Sequence, residues 1–156
     1  MTNIGEVLRK YWSRMEITFA PRATTEELTV FEKSNAVQLP KEIRDYFLDA
    51  NGFAPPNDQD ENGFSFWPIS RVTPIATFDN GGWSFRGCDN CYLFVEYLSL
   101  SWGYAFCISA GSPMVRICIV GTADQRPVFI AESIGEFVDL YVRNDDRLYP
   151  AKPVSI

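Results

Sequence analysis

The spacing of apolar and polar positions changes character once along the chain. Up to residue 50 the apolar residues recur every three to four positions, and from residue 92 they recur every two. Ile4, Val7, Leu8, Tyr11 and Trp12 fall on one helical face and predict an amphipathic N-terminal helix. Pro21 ends the segment that follows it. A second helix is expected from Thr24, because Glu27 stands three residues on. In such a capping box each side chain satisfies the other residue's free backbone N–H. Leu28 and Phe31 supply its apolar face, and Ser34-Asn35 closes it. A third helix is expected from Pro40, whose missing N–H suits a first helical position. Its stripe is Ile43, Tyr46, Phe47 and Ala50, and Asn51-Gly52 stops it.

Residues 53–63 read as an exposed acidic loop, since no apolar side chain from 57 to 62 could anchor it. Phe64 to Trp67 alternates as a short strand, and residues 69–78 read as a turn or short helix broken at Pro74. Four period-two runs follow at 92–97, 102–109, 114–121 and 126–132, separated by short polar or Gly/Pro turns as in an antiparallel meander. A last helix opens at Ser133, with Glu136 three residues on. It carries Ile134, Phe137, Val138, Leu140, Tyr141 and Val142 on a broad apolar face that should dock on the sheet. The tail from Asn144, with Pro150 and Pro153, is expected to wrap the surface. Helices first, then a meander of four to six strands, then a closing helix is an α+β order rather than βαβ. The 156 residues suit one domain, 1–156, with 1–20 as a helical extension.

Composition narrows the function. The chain has no histidine, which removes the commonest general base, every Ser-His or Cys-His nucleophile pair and most zinc and non-haem iron sites. Catalysis would fall to carboxylates such as Glu96 with Asp79 or Asp89, and nothing in the sequence brings any two together. No catalytic residue, cofactor or metal is therefore expected. The net charge of −6 argues against direct nucleic-acid binding, which depends on Lys and Arg neutralising phosphates. It favours a basic protein partner instead. The charge is uneven, because residues 54–96 hold six carboxylates against two arginines. No run approaches the roughly 20 apolar residues of a membrane span, and the N-terminal segment lacks the apolar core of a secretory leader. The expected compartment is the cytosol. There, Cys88, Cys91, Cys107 and Cys118 should be reduced, the last two acting as small hydrophobes inside apolar runs. Cys88-x-x-Cys91 alone is also compatible with a redox pair or half a zinc site.

The segment Thr24-Thr25-Glu26-Glu27-Leu28-x-x-Phe31-Glu32, then Leu39-Pro40-x-x-Ile43-Arg44-x-Tyr46-Phe47-x-x-x-Asn51-Gly52, then Phe64-Ser65-Phe66-Trp67-Pro68-Ile69, resembles the SUKH superfamily. That superfamily includes the Smi/Knr cell-wall regulators and many bacterial immunity proteins. The meander over 92–132 and the helix opening at Ser133 continue the pattern, so the resemblance spans residues 24–143. It implies a binding scaffold, in the immunity type one that blocks a toxin, often a nuclease. A regulatory adaptor of the Smi/Knr type is the second expectation, and a small-molecule or carbohydrate-binding domain the third. Residues expected to meet a partner are the loop carboxylates Asp58, Asp60 and Glu61, the aromatic anchors Trp83, Trp102 and Tyr104, and Glu96. Strand alternation sets Glu96 on the face opposite Val95, where the sheet is expected to be open. Core packing competes as a reading of the three aromatics, since large rings are usually well buried.

Overall fold

A computed structural model describes residues 3–78, 83–109, 112–122 and 126–150. Asp79, the Asn80-Gly81-Gly82 turn, the 123–125 connection and Pro153 lie outside the described residues. The N-terminal third forms α1 (Ile4–Arg14), α2 (Thr25–Asn35) and α3 (Lys41–Asp49). The capping box is complete at α2: the Thr24 hydroxyl accepts from the Glu27 N–H, and the Glu27 carboxylate accepts from the Thr24 N–H. Pro40 is the N-cap of α3, so the helix starts at Lys41, one residue later than the sequence suggests. Asn51 does more than end that helix. Its buried amide donates to the Pro21 carbonyl and accepts from the Ile69 N–H, fixing two loops to each other.

The strands are β1 (Phe64–Phe66), β2 (Thr73–Pro74), β3 (Cys91–Tyr97), β4 (Trp102–Ile108), β5 (Val115–Val120) and β6 (Val128–Ala131). They form one antiparallel sheet in the order β1-β3-β4-β5-β6, with β2 also paired to β3. The closing helix α4 (Ile134–Arg143) is capped by Ser133, whose hydroxyl accepts from the Glu136 N–H. Together these make the α+β architecture that the periodicity predicts, with the C-terminal helix packed on the sheet.

One face of the sheet carries the main core. Tyr92, Phe94, Tyr104, Phe106, Ile117 and Ile119 meet Trp12, Phe31, Phe47 and Phe137 from the four helices. The opposite face is not open, contrary to the expectation from alternation. A second core covers much of it: Trp67, Ile75 and Trp83 from the 67–90 segment pack on Leu93, Ala105, Cys118 and Val120. A β-bulge between Leu93 and Val95 sets Phe94 and Val95 both in the helix-side core while Leu93 faces the other.

The cysteines also depart from expectation. Cys91 and Cys107, directly opposite on β3 and β4, form a disulfide. Cys88 and Cys118 are buried free thiols, and the Cys118 sulfur lies 3.7 Å from that of Cys107. Burial pushes the Cys118 thiol up to about 12. Cross-strand placement brings Cys91, Cys107 and Cys118 together, while Cys88 joins the same small core from the turn before β3, and spacing in the sequence carries no sign of it. Among the described residues no cluster of cysteines and carboxylates is placed to hold a metal ion, and no helix is long and apolar enough to cross a membrane.

Candidate protein-binding face

The acidic loop is built around a buried carboxylate. Asp60 is only 7 % exposed, so the expectation of a wholly solvated loop is corrected there. Its Oδ1 accepts from the Asn62 and Phe64 N–H groups at 2.8 and 3.0 Å, and its Oδ2 accepts from the Tyr141 hydroxyl at 2.5 Å. The Trp12 indole N–H donates in turn to the Tyr141 oxygen at 3.1 Å. The loop lacks apolar anchors, as the sequence shows, and a polar one replaces them. A buried carboxylate persists when donors satisfy its oxygens, and here three do so. Asp58 and Glu61, on either side of Asp60, point into solvent.

The β3–β4 connection stands beside this loop. Gln59 donates to the Ser99 hydroxyl at 3.2 Å, linking the two. Leu98, Ser99 and Leu100 all have positive φ, at 45°, 53° and 68°. Three successive non-glycine residues in the left-handed region are strained, and Leu98 at their start is 48 % exposed. Gly63 allows the approach, since a Cβ there would lie 2.7 Å from the Leu98 side chain.

At the roots of that connection Tyr97 and Trp102 are cross-strand partners, and their rings stack at 4.3 Å with 19° between planes. The Trp102 N–H donates to the Tyr104 hydroxyl at 3.0 Å. Tyr149 meets Tyr97 edge-on at 5.6 Å. Tyr11 of α1 packs against Tyr141 at 5.2 Å, and its phenol is pushed up first by burial and then by the charges of Asp60 and Glu61. Tyr11, Tyr97, Trp102 and Tyr149 are all half-buried. Tyr97, Trp102 and Tyr149 form one contact chain of partly exposed rings, and Tyr11 lies on Tyr141 within reach of the Glu61 charge.

Of the residues singled out from sequence, Trp102, Asp58 and Glu61 are at least partly exposed. Asp60 and Tyr104 are buried: Tyr104 donates its hydroxyl to the Leu148 carbonyl at 2.5 Å. Trp83 belongs to the second core, its ring over Gly103 and Gly121, where a Cβ would come within 3.0 and 2.5 Å of it. Glu96 sits around the corner on that same face. Arg71 lies over the Trp67 ring at 4.1 Å and meets the Glu96 carboxylate at 3.7 Å. Burial raises the Glu96 carboxyl above its ordinary range; Arg71 opposes the shift and Asp58 adds to it. Sequence reasoning missed Tyr97, Tyr149, Tyr11 and Arg71. Only Tyr97 carried a signal, as the residue facing Trp102 across a four-residue turn.

A groove of about 480 Å³ also opens between α2 and the 69–72 turn, lined by Glu26, Glu27, Val30, Phe31, Ile69 and Val72 among others. It holds none of the residues expected from sequence to meet a partner.

Helices lie on one face of the antiparallel sheet and a second small core on the other, with partly exposed aromatic rings at its end. The chain belongs to the SMI1/KNR4 family (SUKH-1), whose model matches residues 22–140. It is thus a protein of the immunity or Smi/Knr type. No curated protein matches the chain.

Proposed function

We propose that this chain binds a basic protein through the aromatic end of its sheet and neutralises it sterically, as an immunity protein does to a toxin. The stacked Tyr97–Trp102 pair carries this reading. Tyr and Trp are the side chains that dominate binding hot spots, and the pair is half-buried rather than sealed in the core. Leu98 adds an exposed apolar tip, and Asp58 and Glu61 supply a negative rim. Such a rim steers a positively charged partner and sets the salt dependence of the encounter, while the rings supply the affinity.

Blocking by occupation requires no catalytic group on this chain, in keeping with a sequence that lacks histidine. The adaptor reading draws on the same family membership and the same surface. It differs in what the bound partner does afterwards. A small-molecule site is less well supported, because Trp83 and Trp102 pack with opposite cores and so cannot line one pocket with Glu96. Growth of cells expressing a toxin domain, taken from the neighbouring gene where that gene encodes one, tests the proposal. Co-expression of the wild-type chain restores growth if the reading holds, and unrelieved toxicity with the chain present at high level counts against it.

A further inference from the structure

Three sulfurs from three neighbouring strands meet in the second core. Cys91 of β3 and Cys107 of β4 stand directly opposite and are bonded to each other. On the other flank of β4, Cys118 of β5 is paired with Ala105, one diagonal step from Cys107. Such diagonals stay within side-chain reach across a ladder, and here the Cys118 sulfur lies 3.7 Å from that of Cys107. Cys107 has no hydrogen on its bonded sulfur, so the Cys118 thiol is the donor in this contact. Cys118 is a free thiol and fully buried, and the sulfur in front of it is already half of a disulfide.

A thiolate that attacks one sulfur of a disulfide bonds to it and expels the other. We infer that Cys107 is a shared sulfur, and that the folded chain exchanges its Cys91–Cys107 disulfide for a Cys107–Cys118 disulfide. Cys118 gives up its proton and its sulfur attacks that of Cys107. The Cys107–Cys118 bond forms, the Cys91–Cys107 bond breaks with its electron pair on Cys91, and the Cys91 thiolate takes up a proton. One disulfide and one thiol stand on each side of the exchange, so no oxidant or reductant is consumed. The attacking and leaving sulfurs come from strands on opposite sides of β4, as displacement at a middle sulfur needs.

Exchange moves the covalent link from the β3–β4 hairpin to the β4–β5 pair, and so opens the 91–107 loop that carries Tyr97 and Trp102. It holds whatever the chain binds, since none of the three sulfurs belongs to the proposed partner face. Two titratable or charged groups act on Cys118: Arg116 of its own strand favours the thiolate, and Cys88 from the turn before β3 disfavours it. Burial outweighs Arg116, so the thiolate is scarce near neutral pH and exchange quickens as pH rises.

Linkage mapping tests the exchange. The full chain is equilibrated at about pH 9 without added thiol, quenched in acid to stop exchange, digested with pepsin and read by mass spectrometry. Native wild type should give two linkages, Cys91–Cys107 and Cys107–Cys118, the second with Cys91 as a thiol. Cys118→Ser should keep Cys91–Cys107 alone. Cys91→Ser, oxidised by glutathione disulfide, should form Cys107–Cys118 as its main product, with circular dichroism verifying the fold. Where Cys91→Ser does not fold, the wild-type map decides. Three results overturn the inference: native wild type with Cys91–Cys107 as its sole linkage, links to Cys88 as abundant as Cys107–Cys118, or a folded Cys91→Ser chain that holds Cys107 as a glutathione adduct beside a free Cys118.

Discussion

The Tyr141 hydroxyl donates to the Asp60 carboxylate at 2.5 Å, joining the closing helix to a loop 81 residues earlier. This bond, with the two backbone donors on the other oxygen, turns an apparently featureless acidic loop into a fixed platform. Asp60→Ala leaves the Tyr141 hydroxyl and two N–H groups without an acceptor in a buried site. It should lower unfolding free energy by about 3 kcal/mol. Asp60→Asn keeps an acceptor and should cost about half as much. Urea denaturation measures both, as a fall in midpoint with unchanged slope.

Glu96 gives a pH signature. Its carboxyl is raised, chiefly by burial, so the folded state holds the Glu96 proton more tightly than the unfolded state does. The stability this contributes is full below the ordinary glutamate range and is lost as pH rises through the folded value. Glu96→Gln removes the ionisation. The difference in unfolding free energy between variant and wild type should therefore be pH-independent under acid conditions. It should then shift in favour of Glu96→Gln toward neutrality. A difference flat from pH 3 to 7 would remove this account of Glu96.

The Cys91–Cys107 disulfide closes the β3–β4 hairpin with a sequence separation of 16 residues. Reduction should lower stability by about 2 to 3 kcal/mol through the freedom returned to the unfolded chain. Cys118, buried and with its thiol pushed up to about 12, stays unreactive toward iodoacetamide at pH 8 until the protein unfolds. Urea denaturation with and without reductant measures the first, and peptide mass spectrometry of alkylated native and denatured samples the second.

Trp83 rests on Gly103, where a Cβ would approach the Leu93 side chain to 2.6 Å and the indole to 3.0 Å. Gly103→Ala should push the indole off the sheet at a cost of about 1 to 3 kcal/mol. A red shift in tryptophan emission accompanies the loss if the ring moves toward water.

Much of the fold was legible because helices and strands announce themselves by period. The Thr24–Glu27 box, the α3 stripe and the four meander runs all depend on residues within a few positions of one another. What could not be read is what depends on partners distant in sequence. The burial of Asp60 needs Tyr141, the Cys91–Cys107 bond needs the β3–β4 register, and the covering of Glu96's face needs the 67–90 segment to fold back. The bulge at Leu93/Val95 alters the alternation midway along β3, which no count of residues reveals. The proposed partner surface is half visible for the same reason. Trp102, Asp58 and Glu61 were named from local composition, whereas Tyr11 and Tyr149 arrive from opposite ends of the chain.

The Tyr97–Trp102 stack is the centre of the proposed interface, and its contribution can be measured directly. Calorimetric titration of the toxin domain whose toxicity the chain relieves with wild type, Tyr97→Ala and Trp102→Ala, at low and at physiological salt, gives affinities for each. The account predicts that each truncation weakens binding by about 2 kcal/mol, close to 30-fold, as hot-spot aromatics do. It also predicts that added salt weakens the wild-type complex. Wild-type affinity in both variants, with their folds intact, would contradict it.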